Sequence, residues 1–372
     1  MLPHLGMLLV KDSGPKHSLL FVRNLMKMND QECITVVDSW LARFNDAIAD
    51  KSNGMADKKL AELFHSDSYW RDALALSWCL QTVTHNESIR RTLRALTTDI
   101  GITDLQLDVD ATPPRIVRRA GKDAIEAFFQ FQTNVARCRG VLRLTPDDNR
   151  SDVWRAWTFF TAMENLIGFE EKTNENRPMD ESYSRDFRGP NWLDKRVDAA
   201  EYGSHNPEVL IVGGGHAGLS IAARLVQLGV DTLIVDKNSR VGDNWRNRYH
   251  ALTLHNQRHV NHLPYMPFPR TWPTYIPKDM LGLWFESYAA VMELNFWTES
   301  EVTSAIYDSV TSRWKVNIRQ PGDNLRQLEP SHVIMATGVS GIPNLPSMDT
   351  LSKFDGLVVH SSQYHDGEDW SG

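Results

Sequence analysis

The sequence predicts an α/β domain built on a parallel, Rossmann-like sheet, preceded by an α+β domain. Three observations carry this expectation. Up to about residue 169 the pattern runs helices first and strands afterwards. Residues 170–206 then turn charged and proline-marked, with little periodicity. Beyond them, EVLIVGGGHAGLSIAARLVQLGVDTLIVDK sets an apolar run, a glycine turn, a helix and a second apolar run in order. The expected division is an extension at 1–28, an α+β domain at 29–169, a linker at 170–206 and the α/β domain at 207–372.

A length of 372 residues suits two domains. The hydrophobic share of 41% against 23% charged gives each of them apolar surface for a core. A net charge of −7 with no long basic run argues against a nucleic-acid partner. Cys33, Cys79 and Cys138 form no CxxC pair, so neither a disulfide framework nor a zinc site is expected, and the compartment reads as cytoplasmic. No apolar stretch approaches the roughly 18 residues that span a bilayer, and the N-terminus shows no signal-peptide cleavage site.

From Asn29, with Glu32 as a capping-box partner, Val36, Val37, Trp40, Leu41, Phe44, Ala47 and Ile48 recur on one helical face. A second helix is expected around Asp57–Phe64, a strand-like stretch over Tyr69–Leu76 and a further helix over Asn86–Leu96. Ala124–Thr133 leads into apolar segments at Gly140–Leu144 and Val153–Met163, the last aromatic and β-branched enough for a strand. His65, Asp67, Tyr69 and Asp72 read either as pocket acid/base groups or as ordinary loop polarity. The charged segment 170–206 has room for one short helix.

The 208–236 segment is the most informative. Val209–Val212 is a continuous apolar run, as a strand buried on both faces requires. It leads directly into Gly213, Gly214, Gly215, His216, Ala217 and Gly218, a GxGxxG turn. The first glycine permits the tight turn, the second lets backbone approach a pyrophosphate, and the third lets helix pack on strand. A helix from about His216 to Leu228 aims its unpaired N–H groups at the phosphates, and Gly229 is placed to end it. A second strand, Thr232–Val235, delivers Asp236 and then Lys237, where an acid accepts hydrogen bonds from ribose. This pattern defines a dinucleotide site and does not separate FAD from NAD. No Tyr-Lys or His-Asp arrangement of a dehydrogenase follows it.

Past Asp236 the chain reads VGDNWRNRYHALTLHNQRHVNHLPYMPFPRTWPTYIP. Here it resembles the flavin-dependent monooxygenases of the flavin-containing monooxygenase and YUCCA type, closest to fungal members. The family's Gly-Gly-x-Trp element stands as Gly242-Asp243-Asn244-Trp245, with the second glycine replaced. The family's LHN stands at Leu254–Asn256. A helix with Leu281, Trp284, Phe285, Tyr288, Val291 and Met292 on one apolar face follows. Two strands come next, around Val302–Tyr307 and Trp314–Arg319. A buried strand then ends in Ala336-Thr337-Gly338, like the ATG element of two-dinucleotide flavoproteins. Finally FDGLVVHSSQY matches the fingerprint FxGxxxHxxx(F/Y) at Phe354, Gly356, His360 and Tyr364, though His365 stands where the family has proline or lysine.

The resemblance implies FAD as cofactor. It adds Asn244, Trp245, His255, Asn256, Val302 (through its backbone), Ala336, Thr337 and Gly338 to the binding set. It also implies NADPH as reductant and oxygen transfer to a small-molecule substrate through a flavin C4a-hydroperoxide. The fingerprint histidine takes a conformational or NADPH-linked role. The first domain resembles the NTF2-like, SnoaL-type cone that precedes the flavin domain in fungal relatives. The family's second glycine motif, for NADPH, is expected after HSSQY, where the sequence stops. The expectation is therefore an incomplete flavin domain of doubtful activity alone, with a non-catalytic flavin-binding protein as the alternative.

Overall fold

Asn29 opens the first helix, α1 (Asp30–Ala49), with the expected capping box: its side chain accepts from Glu32 N–H while the Glu32 carboxylate accepts from Asn29 N–H. Val37, Trp40, Leu41, Phe44 and Ala47 are buried along one face with Cys33, and Val36 and Ile48 flank them half-buried. In the computed structural model, residues 28–147, 149–150, 152–179, 186–339 and 341–370 are described. The expected extension lies outside them except for Met28. The chain divides into two units, up to Glu170 and from Glu171 onward.

In the first unit, α2 (Asn53–Leu63) and α3 (Asn86–Ile100) join α1. Seven strands follow the chain as β1 (Phe64–Ala73), β2 (Leu80–Thr84), β3 (Thr103–Leu107), β4 (Arg115–Arg119), β5 (Lys122–Gln132), β6 (Ala136–Pro146) and β7 (Trp154–Leu166). Their order is β2-β1-β7-β6-β5-β3, with β4 also on β5, and β1 against β7 is the parallel pair. The helices bury Trp40 and Phe44 on the sheet's Phe64, Phe129 and Phe159, with Phe129 stacked on Phe159 at 5.4 Å. Gly140 on β6 makes room for this: a Cβ there would lie 2.1 Å from the Phe129 ring.

Three expectations need correction. The second helix starts at Asn53, not Asp57: its opening residues, Asn53 and Gly54, are poor helix formers and carry no periodic signal. Leu74 and Leu76 are not in the strand: β1 stops at Ala73, Leu74 has φ +68, and Leu76 N–H bonds to Asp72. β2, β3 and β4, short and polar, gave no alternating pattern to read.

The four candidate acid/base groups of β1 do not line one pocket. Strand alternation leaves Asp67 and Tyr69 exposed and puts Ser68, Trp70 and Asp72 inside. His65 bonds to Thr145. Asp72 is fully buried, and both its oxygens are taken by Thr161 Oγ1 (2.5 Å), the Leu76 and Ser77 N–H groups and Ser77 Oγ.

In the second unit, α4 (Trp192–Glu201) lies within the charged segment. Trp192 and Arg196 bond to Glu293, and buried Tyr202 bonds to Asp231 and Asn295. The α/β part follows as β8 (Val209–Val212), α5 (His216–Gln227), β9 (Thr232–Val235), α6 (Asp243–Arg246), α7 (Lys278–Val291), β10 (Asn295–Trp297), β11 (Glu301–Asp308), β12 (Arg313–Gln320), β13 (Asn324–Leu328) and β14 (His332–Met335). The parallel sheet has the order β10-β9-β8-β14, and β11-β12-β13 form a separate antiparallel meander.

The unbroken VLIV of β8 has its reason here. Val209 and Ile211 pack on Leu219, Ala222, Leu281 and Phe285 of the helices, while Leu210 faces Val316, Ile318 and Leu328 of the meander. On α7, Val291 is exposed rather than part of the buried stripe. β14 was expected as a buried strand but is an edge, paired with β8 alone, and Met335 is 67% exposed. Among the described residues no helix is long and apolar enough to cross a membrane.

The three thiols are free but unequal. Burial raises the Cys33 thiol above its ordinary range, and burial with Asp72 and Glu164 nearby pushes Cys138 up to about 12. Only the thiolate reacts, so a disulfide reagent at mildly alkaline pH is expected to modify exposed Cys79 in the native protein and spare the other two. Labelling of Cys138 at a similar rate would contradict this packing.

Candidate dinucleotide-binding site

Strand register assembles the site. Val212 pairs with Val235 on one side and with Met335 on the other, so the residues that follow, Gly213, Asp236 and Ala336, emerge side by side. The chain leaves β8 toward β9 on one side and returns as β14 on the other. The C-terminal end of β8 is therefore a topological switch point, where open α/β sheets form their ligand crevice.

At this point Gly213 takes φ +106 and donates its N–H to Val235 O at 2.8 Å. A Cβ on it would sit 2.5 Å from Ala336 O, so β14 crosses directly against the turn. On Gly218 a Cβ would meet Gly213 O at 2.0 Å, which is the close helix–strand packing expected of the third glycine. A Cβ on Gly215 would meet only Asn244 Nδ2, at 3.2 Å. Gly215 also caps α5 without a side-chain bond, leaving the first N–H groups of a 12-residue helix aimed at the crevice. The helix ends ahead of Gly229 as expected.

Asp236 does more than the pattern foretold. Its Oδ2 accepts the Gly214 N–H at 2.7 Å, and its Oδ1 accepts both N–H groups offered by Asn238 at 2.9 Å. The carboxylate braces the glycine turn across the strand ends, with lone pairs left for a further donor. Phe296 also closes on the turn: a Cβ on Gly214 would lie 2.1 Å from its ring. Neither contact is legible in the sequence, because the first depends on β8 and β9 being neighbours and the second on β10 lying beside β9.

His216 turns inward from the first helical position. Its ring meets Phe285 edge-on at 4.6 Å and Trp245 at 6.2 Å. Burial pushes the imidazole below its ordinary value, the Asn261 backbone acting weakly the other way, so the ring is neutral near pH 7. His216 Nε2, Asn244 Oδ1 and Trp245 Nε1 are buried with no hydrogen-bond partner. Each such atom costs about 1–3 kcal/mol. Three of them beside one glycine turn fit a crevice completed by a polar ligand.

The remaining expected residues divide. Ala336 is at the turn, whereas Thr337 and Gly338 are exposed just beyond it. Lys237, His255 and Asn256 are exposed. Val302 starts the β11–β12 hairpin and packs on the core between sheet and meander. In the fingerprint segment the Phe354 ring lies over Gly356, within 2.5 Å of where a Cβ would be, and His360 Nδ1 bonds Ser362. Tyr364 meets Tyr249 at 5.9 Å, and His250 donates its N–H to His365 O.

A strand, a glycine turn and a helix at a switch point define a nucleotide-binding Rossmann unit, and the profile of the NAD(P)-binding Rossmann-like domain family matches residues 211–267. More particular relatives match slightly under half of the chain. Indole-3-pyruvate monooxygenase YUCCA1 of Oryza sativa subsp. japonica is 32% identical over 167 residues, which are 45% of this chain and 40% of that protein. The probable indole-3-pyruvate monooxygenase YUCCA4 of Arabidopsis thaliana is 34% identical over 162 residues, 43% of this chain and 38% of the relative. Among solved structures, a two-residue mutant of a flavin monooxygenase from Stenotrophomonas maltophilia aligns with a TM-score of 0.42 at 26% identity, covering 45% of this chain and 49% of that one. The chain thus spans about two fifths of the length of the curated relatives it matches.

Proposed function

We propose that the second unit binds the ADP half of FAD and that the protein is an FAD-dependent oxidoreductase of the flavin monooxygenase kind. The glycine turn at the switch point carries this reading, and the similarity to monooxygenase relatives supports it. In it, the N–H groups of Gly215, His216 and Ala217 face the pyrophosphate. Asp236 accepts from the ribose with the lone pairs that Gly214 and Asn238 leave open, and Lys237 flanks it.

Asn244 and Trp245 bring their unpaired polar atoms to the flavin side, with His255 and Asn256. Val302 meets adenine, and Ala336, Thr337 and Gly338 let the chain pass close to the cofactor. When bound, the flavin supplies the redox chemistry, taking electrons from NADPH and activating dioxygen for transfer to a small-molecule substrate. The chain's own part is to hold the pyrophosphate, orient the ring and exclude water. Phe354, Gly356, His360 and Tyr364 form the family fingerprint, in which His360 takes a conformational or NADPH-linked role. For the first unit the reading is an NTF2-like cone, supported by a seven-stranded sheet with three helices on one face. The free cysteines suit a cytoplasmic setting.

The test is to purify the chain and measure bound flavin and NADPH oxidation. Co-purified FAD with NADPH-dependent bleaching supports an oxygenating enzyme. FAD without NADPH consumption supports the alternative, a flavin-binding protein that does no catalysis. Saturable NAD binding with no affinity for FAD would overturn the reading.

A further inference from the structure

Asp243 stands second in the Gly242-Asp243-Asn244-Trp245 element, and the structure gives that aspartate a definite set of partners. Asp243 is buried in α6, the single turn that carries Asn244 and Trp245. Its Oδ1 accepts from Arg246 Nη1 at 3.0 Å and its Oδ2 from Ser239 Oγ at 3.2 Å. Arg246 also donates to Val241 O at 2.7 Å and to Glu286 Oε2 on α7 at 3.1 Å. Glu286 is gripped from the other side by Arg240, through two bonds of 2.7 Å. Lys278 Nζ, at the start of α7, donates to Arg246 O at 2.9 Å.

The backbone beneath this network is equally constrained. Gly242 has φ +91, and a Cβ on it would lie 2.2 Å from Gly282 O of α7. A turn of four residues does not hold itself. Here Asp243, Arg246 and Glu286 tie it to α7 at one end, while its next residue, Asn244, rests against Gly215 at the other.

We propose that Asp243 is a positioning residue: with Arg246 and Glu286 it preforms the turn that presents Asn244 and Trp245 to the ligand of the glycine turn. The inference rests on the flavin reading above. A fixed turn loses less freedom on binding than a glycine-hinged one, so the network raises affinity without touching the ligand. The Asp243–Arg246 pair, with side chains 12% and 18% exposed, is screened less by solvent than the exposed Arg240–Glu286 pair, whose two bonds add geometric definition instead.

The experiment compares the full chain with D243N, with D243G (which removes the side chain altogether), with E286Q and with the D243N/E286Q double variant. FAD titration is followed by flavin fluorescence, and amide hydrogen exchange is measured without FAD. The expected result is a Kd weakened about tenfold in D243N, similarly in D243G and less in E286Q, with the double variant no worse than D243N because the residues act as one unit. Exchange at residues 242–247 is expected to quicken without FAD while that in β8 and α5 stays unchanged. A Kd within twofold of the parent in folded D243N or E286Q, or strictly additive losses, would overturn the proposal. E286Q keeps the test open should D243N fail to fold. A parent chain that binds no FAD removes the flavin reading and this inference with it, a result distinct from an unchanged Kd in the variants.

Discussion

Gly218→Ala is expected to destabilise the second unit by about 3 kcal/mol and to abolish flavin binding, whereas Gly215→Ala is expected to abolish binding and leave the fold intact. The two substitutions add the same methyl group three residues apart, and the surroundings decide the difference. At Gly218 the new Cβ would lie 2.0 Å from the carbonyl oxygen of Gly213, with Ile211 Cγ2 at 3.5 Å behind it. Neither atom belongs to a flexible chain end, so α5 must lift off β8, an overpacking cost of about 1–3 kcal/mol or more. At Gly215 the backbone is in an ordinary region and only the Asn244 amide stands nearby, at 3.2 Å. The methyl instead fills the space through which the pyrophosphate would approach the backbone. Gly203→Ala, where nothing lies within 4 Å, serves as the control. Urea unfolding and FAD titration of the three variants check this. A Gly215→Ala protein that binds FAD normally would remove the pyrophosphate from the turn, and a Gly218→Ala protein as stable as the parent would contradict the packing.

Asp72→Ala is expected to cost the first unit about 3 kcal/mol or more, since each buried donor it leaves unsatisfied costs about 1–3 kcal/mol. The carboxylate is the end point of a chain of bonds: Trp70 Nε1 donates to Thr161 Oγ1, whose own hydroxyl proton goes to Asp72 Oδ1. Removing it strands that hydroxyl and the N–H groups of Leu76 and Ser77 inside the core. Asp72→Asn keeps the shape and one acceptor and is expected to lose less. Denaturant unfolding followed by tryptophan fluorescence reports both, since Trp40 and Trp70 are buried in this unit. A loss below about 1 kcal/mol in Asp72→Ala would return the residue to the list of acid/base candidates.

Much of this was legible in advance, and the reason differs by element. α1, β8, α5 and β9 match their expected places closely because each obeys a local rule: a capping box, a doubly buried run, a glycine turn, a helix stopped by glycine. β2, β3 and β4 escaped notice because short polar strands owe their existence to the partner they pair with. The charged segment before Val209 concealed Tyr202, whose burial comes from Asp231 and Asn295, residues distant in sequence. β14 misled for a related reason, since an apolar strand in the sequence does not reveal whether it lies at the centre or the edge of its sheet.

The sequence by itself determined the chemistry of the glycine turn: which residues lack side chains, where the helix begins, and that an acid follows the second strand. Those features act within a few residues of one another, so local spacing encodes them. Only the tertiary structure decided that Asp236 braces Gly214, that Ala336 crosses Gly213, that Asn244 rests against Gly215, and that Asp243 is tied to Glu286. These contacts join five separate segments (the glycine turn, the ends of β9 and β14, α6 and α7), and strand order and register, which no local pattern records, bring them together.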